Sequence, residues 1–233
     1  MSTRSRISEK SLEMNVNENI IVAIRQWGGV FSRAFIYGFT LRAEARHGFD
    51  SSINLPGTAS FLFALQYKKP ISKSGNIYRF LINSDKRRQQ HILLWISSLR
   101  YRNVWYAFPL IIDSLELSRS SPNFLQRTYF VRVQDFPPHT FDRNVHLVEI
   151  DANRLIGRVF SSEEEKLPIY TGENFLKTIK ELTPIYVGEI ERLSWDYVYE
   201  KMRAIGVKEE ILEEMRREEE RQYHRFTSGF FSM

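Results

Sequence analysis

Gln66 and Lys68 end the otherwise apolar stretch FLFALQYKK, which is typical of a β-strand. Residues two apart on a strand point to the same side, so these two side chains should project together. Asp50 begins an earlier strand-like run, and Pro56-Gly57 is a turn signal between the two runs. Antiparallel pairing would then bring a carboxylate, an amide and an ammonium to one end of a hairpin. Such a group could do acid–base or electrostatic chemistry; the alternative is a strand end that is simply solvated.

The residues around this predicted hairpin resemble a known family. The chain reads EARHGFD from Glu44 to Asp50 and QYK from Gln66 to Lys68, and VWYAFP follows from Val104. An acidic residue, an Asp at a strand start and [D/E/Q]-x-K on the adjacent strand resemble the PD-(D/E)xK nuclease superfamily in its Gln variant. The resemblance covers roughly residues 40–112 and not the C-terminal helices.

This resemblance implies hydrolysis of phosphodiester bonds in DNA with Mg²⁺ or Mn²⁺ bound by carboxylates. Asp50 would be the principal metal ligand, Glu44 a second ligand, and Lys68 would orient water or stabilise negative charge. Gln66 occupies a position where the family more often has an acid. A neutral amide oxygen is a weaker ligand, so metal affinity should be lower. Glu18, on an earlier helix, is the alternative to Glu44 for the second acid.

The charge of the chain favours a polyanionic partner such as nucleic acid, and the nuclease resemblance implies DNA rather than RNA. The whole chain carries +5, while 11 acidic and 8 basic residues make the segment from Glu189 to Arg225 negative. Two basic groups are candidates for contacts with nucleic acid, and in both a solvated surface is the alternative. They comprise Lys86, Arg87 and Arg88 at a predicted helix start, and Arg100 and Arg102 around Tyr101.

Composition excludes several other classes of protein. The chain has no cysteine, which excludes disulfides and thiolate zinc sites, and its 42% hydrophobic content allows a substantial core. No apolar run approaches the roughly 20 residues that a membrane helix needs. The N-terminal segment also lacks the apolar stretch of a signal peptide. We therefore expect a cytoplasmic protein without a membrane partner.

His47 and His91 could act as acid or base, or be structural.

The order of predicted elements favours an α/β fold. A strand, a helix near residues 84–99 and an apolar strand at Val104–Ile112 predict a crossover in a mixed central sheet flanked by helices. The expected architecture is a restriction-endonuclease-like core over residues 16–160, in which Asn17 caps the first helix. Residues 1–15 should form a flexible N-terminus and residues 161–233 a helical extension.

Three functions remain open at this point. The first is a metal-dependent endonuclease or exonuclease. The second is a nucleic-acid-binding module on the same fold that Gln66 has made catalytically silent. The third is a structural or interaction protein that forms homo-oligomers through its charged C-terminal helix, KEEILEEMRREEERQYHRF.

Overall fold

The structure is a computed structural model of the 233-residue chain. It separates into two compact units, residues 1–192 and residues 193–233. No helix among the described residues is both long enough and apolar enough to cross a membrane. The described residues are 3–39, 48–56, 61–84, 90–101, 103–142, 144–161, 163–186, 195–204, 209–210 and 212–213.

The first helix begins at Glu9, well before the predicted start. The Ser8 hydroxyl caps it by accepting from the backbone N–H of Ser11 at 3.0 Å. Its apolar residues recur every fourth position from Leu12 to Ile24 and are buried against the sheet. The helices of the described chain are α1 (Glu9–Arg25), α2 (Gln90–Tyr101), α3 (Ser114–Ser120), α4 (Gly172–Tyr186) and, in the second unit, α5 (Trp195–Ala204).

Twelve strands within the described residues form two six-stranded sheets. The sheet that carries the predicted hairpin has the order β12-β8-β7-β4-β3-β2, and the other has the order β1-β5-β6-β9-β10-β11. The strands are β1 (Thr3–Arg4), β2 (Phe35–Gly38), β3 (Ser51–Asn54), β4 (Phe61–Tyr67), β5 (Ser72–Ser74), β6 (Ile77–Ile82), β7 (Val104–Pro109), β8 (Thr128–Arg132), β9 (His146–Asp151), β10 (Ile156–Phe160), β11 (Glu164–Leu167) and β12 (Tyr170–Thr171).

The hairpin sheet is mixed, as predicted. β4 and β7 are parallel and are joined by the crossover that contains α2, whereas the other neighbours in this sheet are antiparallel. All six residues of β7 are buried, because both faces of this central strand are covered. Phe63, Leu65 and Tyr67 point to the face that packs on α1 and α4, which we call the α1 face. Ala64, Gln66 and Lys68 point to the opposite face, the α2 face.

The second sheet is wholly antiparallel and was not predicted. Its central strands β6 and β9 alternate between buried and partly exposed residues, so only one face is covered. Phe80 on the covered face contacts Phe108 of β7 edge to face, with ring centroids 4.9 Å apart. The second sheet therefore packs over the α2 face and helps to bury the polar groups there.

Three expectations about segment boundaries need correction. Residues 9–15, expected in a flexible N-terminus, form the first part of α1, and β1 pairs with β5. Asn17 does not cap α1; it is buried in the middle of the helix. Residues 161–171, expected in a helical extension, include β11 and β12, which extend the two sheets. The α/β class and the mixed sheet agree with the expectation.

Candidate active site

The hairpin brings Asp50 and Gln66 into direct contact, as its sequence predicted. Ser51 pairs with Leu65 in the β3–β4 ladder, which places Asp50 beside Gln66. The Asp50 carboxylate oxygen Oδ2 accepts from the Gln66 side-chain amide at 2.9 Å and from the Tyr67 backbone N–H at 2.7 Å. Two donors therefore fix the position of this carboxylate at the end of β4.

The Gln66 side chain is almost fully buried, at 1% exposure, and its orientation is determined by two acceptors. Its Nε2 donates to Asp50 Oδ2 and, at 3.1 Å, to the Tyr67 backbone carbonyl. A flipped amide would place its oxygen against both of these acceptors. In the observed orientation Gln66 Oε1 is buried and has no hydrogen-bond partner among the described residues. A buried acceptor left unsatisfied lowers the free energy of unfolding by about 1–3 kcal/mol, so the Gln66 oxygen is a costly feature of the folded chain.

Lys68 projects from the same face as Gln66 and is 7% exposed. Its ammonium donates to Gln90 Oε1, on the first described residue of α2, at 2.5 Å. Gln90 is a neutral acceptor, so the described structure places no carboxylate in hydrogen-bonding contact with this buried cation. Burying an ammonium beside a neutral amide costs free energy. Unfavourably buried charges of this kind are common at functional sites.

Gly48 explains how the strand that carries Asp50 approaches α2 so closely. Its backbone has φ of +78°, in the left-handed region that favours glycine. A Cβ atom here would lie 3.0 Å from the Gln90 carbonyl oxygen and 3.1 Å from Leu93 Cβ. The glycine thus allows the chain to pass against the start of α2, and the adjacent Phe49, 1% exposed, anchors it in the core. This packing places Asp50 and Gln90 on the same side of the sheet end.

A second polar network supports the hairpin from the α1 face. The Tyr67 hydroxyl donates to Asn17 Oδ1 at 2.8 Å, and Asn17 Nδ2 donates to Ser51 Oγ at 3.1 Å. Burial raises the pKa of the Tyr67 phenol well above its ordinary value, and the charges of Glu13 and Asp50 raise it further. Tyr67 is therefore a neutral hydrogen-bonding residue that ties the strand to α1.

Glu13, which the sequence did not single out, is the buried acid of α1. It is 7% exposed, receives an ion pair from Lys10 at 2.8 Å, and lies close enough to Tyr67 to affect its pKa. Glu18, the predicted alternative to Glu44, is on the exposed side of the helix, away from the sheet. The structure therefore does not bring Glu18 to Asp50. The four-residue spacing of Leu12, Val16 and Ile20 would have placed Glu13 rather than Glu18 beside the buried stripe.

His91, next to Gln90, is structural. Its Nδ1 lies 3.0 Å from the Tyr106 hydroxyl and its Nε2 lies 3.1 Å from Thr140 Oγ1. Because Thr140 donates its own hydrogen to the Pro137 carbonyl, Nε2 carries the proton of His91 and Nδ1 accepts from Tyr106. Burial lowers the pKa of His91 well below its ordinary value, and His146 and Lys68 lower it further. A neutral ring with both nitrogens bonded has no group left for acid–base chemistry.

Several predicted site residues lie outside the described part of the chain. They are Glu44, His47, Lys86, Arg87, Arg88 and Arg102, while Arg100 is within α2 but its side chain is not described. Their proposed roles as second metal ligand or as contacts with nucleic acid therefore stay predictions.

Asp50 and Gln66 carry oxygen atoms of the types that a hard divalent cation binds, while Gln66 turns its amide nitrogen toward Asp50. A carboxylate oxygen and the unpartnered Gln66 Oε1 are both ligands that Mg²⁺ and Mn²⁺ accept, and Mg²⁺ commonly keeps several waters beside one or two protein carboxylates. Within the described ranges, no group of three or more His, Asp or Glu side chains could hold a metal. Asp50 and Gln66 therefore stay candidate ligands among the described residues, and Glu44 is the predicted third.

Comparison of the chain with models of protein families, with curated proteins and with solved structures finds no match.

Proposed function

We propose that this protein is a metal-dependent nuclease that hydrolyses phosphodiester bonds in nucleic acid, with DNA as the first expectation. The observation that carries the proposal is the group formed by Asp50, Gln66 and Lys68 at the end of β4. It combines a positioned carboxylate, a buried carbonyl oxygen that no described residue contacts by a hydrogen bond, and a buried ammonium bonded to a neutral amide. The resemblance of the surrounding sequence to the PD-(D/E)xK superfamily supports the same function.

Asp50 and Gln66 would hold the cation, with Glu44 as the predicted additional ligand. Bound Mg²⁺ or Mn²⁺ would supply a coordinated water of lowered pKa and would neutralise charge on the phosphate. The protein's own contribution is positioning. The Tyr67 backbone N–H and the Gln66 amide hold Asp50, while Gln90 holds the Lys68 ammonium on the same face. A buried ammonium has little water around it, so it would stabilise negative charge on a phosphate oxygen strongly.

Asp50→Asn tests this proposal directly. We expect the parent chain to cleave supercoiled plasmid or labelled oligonucleotides in Mn²⁺ or Mg²⁺ and not in chelator, and the variant to cleave at least about 100-fold more slowly. Asparagine keeps an oxygen that can accept from Tyr67, so the variant should fold. Asp151→Asn, a carboxylate change in the second sheet, is the matched control and should cleave like the parent. Equal cleavage by Asp50→Asn would contradict the proposed role of Asp50.

A catalytically silent nucleic-acid-binding module is the second candidate, and one observation favours it. Asp50 Oδ2 already accepts two protein hydrogen bonds, one of them from the amide that stands where the family more often has an acid. Such a carboxylate has less capacity for a metal. Salt-dependent binding of DNA by the parent chain, without cleavage in Mn²⁺ or Mg²⁺, would support this candidate over the nuclease.

A further inference from the structure

We propose that the edge strand β2 is a stacking surface for single-stranded nucleic acid, on which bases pack against Phe35 and Tyr37 beside Asp50. This inference rests on the proposed function, because it assigns the substrate class of the same site. The inference concerns Phe35 and Tyr37, two exposed aromatic residues that have no role in the proposed hydrolysis.

The register of the sheet places this pair on the face of the candidate site. Tyr37 pairs with Ser52, and Ser52 pairs with Ala64, which is two residues before Gln66 on β4. Phe35, two residues before Tyr37, shares that face. The Phe39 backbone N–H donates to the Asp50 carbonyl at 3.1 Å, so Tyr37 is a diagonal neighbour of Asp50. Diagonal neighbours lie roughly 7–8 Å apart, which is within the reach of one nucleotide bound at Asp50.

Both rings are exposed although they are large and apolar. Phe35 is 43% and Tyr37 54% exposed, and all four residues of β2 are exposed. Tyr37 is nevertheless positioned, because its ring contacts Phe39 edge to face at 5.1 Å, and Phe39 contacts the buried Phe49 at 4.8 Å. A half-exposed aromatic ring that a neighbouring ring holds in place can accept a base at a small entropic cost.

The charge of the segment that contains β2 suits a nucleic-acid strand. Residues 28–39 read GGVFSRAFIYGF, with one cation, Arg33, and no acidic residue. Arg33 is exposed and could bind a backbone phosphate next to a base on Phe35. The competing occupant is a second copy of this chain that pairs its own β2 with this edge.

The test is binding of fluorescein-labelled dT and rU oligonucleotides and of a matched duplex, measured by anisotropy in chelator so that cleavage plays no part. Tyr37→Ala should weaken binding of the dT single strand by about 5- to 140-fold, the range measured for loss of one stacked base. Tyr37→Phe should bind like the parent. Tyr197→Ala removes a 40%-exposed tyrosine in the second unit and should also bind like the parent. Arg33→Gln should lower the slope of log affinity against log salt by about 0.7, whereas Tyr37→Ala should leave that slope unchanged.

The outcomes separate this inference from the proposed nuclease function. Binding of single strands that depends on Tyr37 supports the inference even if the parent chain cleaves nothing. If Tyr37→Ala leaves both cleavage and binding unchanged, the stacking surface is overturned and the nuclease proposal stands. A parent chain that binds only duplex has the same consequence. A parent dimer by light scattering that Tyr37→Ala converts to a monomer would also overturn it, in favour of pairing between two copies. Comparison of dT with rU then decides between DNA and RNA as the source of the strand.

Discussion

Two polar clusters lie next to each other on the α2 face, and they differ in how completely their hydrogen bonds are satisfied. Gln90 and His91, consecutive residues at the start of α2, each enter one of them. In the cluster around His91, both ring nitrogens have partners, and Thr140 links the ring to a backbone carbonyl. In the cluster around Gln66, one buried oxygen has no partner in the described part of the chain, and the Lys68 ammonium donates to a neutral amide.

The proposed function would use the Gln66 cluster, whereas the described contacts of His91 are structural. An unpartnered buried atom does not by itself mark a functional site, since among the described residues His146, near His91, also has one at Nδ1. A fully bonded buried network stabilises one arrangement of the core, and each of its members is costly to remove. An incompletely bonded one costs stability as it stands, and such a cost is commonly kept where a ligand completes the hydrogen bonds. His91 was a candidate acid or base by sequence and is structural. In the proposed function, a metal ion would bind Gln66 Oε1 and a phosphate would contact the Lys68 ammonium.

Lys68→Met is expected to give the largest effect, a loss of cleavage without a loss of stability. The opposite result would contradict the contrast between the Gln66 and His91 clusters. The ammonium is buried and its described partner is neutral, so a side chain of similar length without charge should leave stability unchanged or raise it by about 1 kcal/mol. Cleavage should fall by about 100-fold or more, because the charge that would stabilise the phosphate is lost. Plasmid cleavage and thermal melting measure the two effects. Lys69→Met, at the exposed neighbouring lysine, is the control. A variant that melts much lower than the parent would mean that Lys68 is structural, like His91.

Gln66→Glu should increase the difference between the two clusters, because it removes further hydrogen bonds from the Gln66 cluster. The change removes the amide donor to Asp50 and to the Tyr67 carbonyl and places two carboxylates together. In chelator, the free energy of unfolding should fall by about 1–3 kcal/mol. Added Mn²⁺ or Mg²⁺ should restore it, since a cation that binds only the folded chain stabilises it. Melting with and without metal measures this, and Gln126→Glu, at an exposed glutamine, is the control. A loss that metal does not reverse would count against a metal site.

The pH dependence of the free energy of unfolding should show that His91 is neutral in the folded chain, and this is the smallest expected effect. The pKa of His91 is lowered in the folded chain, so the unfolded chain binds a proton first as the pH falls. The contribution of His91 is thus fully present above the ordinary histidine pKa of about 6.5 and is lost below it, by at most about 1.4 kcal/mol per pH unit. Denaturant unfolding of the parent and of His91→Gln between pH 7 and pH 5 measures this slope. The variant should show a shallower slope, and equal slopes would mean that His91 does not titrate on unfolding.

The sequence by itself determined the hairpin and the contact within it. A strand alternates its side chains with a period of two, and a Pro-Gly turn signal between two strand-like runs predicts which strands pair. Asp50 and Gln66 could therefore be placed together from local signals, and the Asp50–Gln66 hydrogen bond confirms that placement. The parallel pairing of β4 with β7 was predictable for a similar reason, since a strand, a helix and an apolar strand imply a crossover.

Only the tertiary structure decided which polar residues are satisfied and which acid of α1 is buried. His91 is structural because Tyr106 and Thr140, 15 and 49 residues away, supply its partners. The second sheet joins β1 and β5 to strands as distant as β9, and no local pattern encodes such pairings. Glu13 is buried and Glu18 exposed because of the side on which α1 packs against the sheet. Hydrogen bonding and burial depend on neighbours brought from elsewhere in the chain, and residue types and spacing alone do not specify those neighbours.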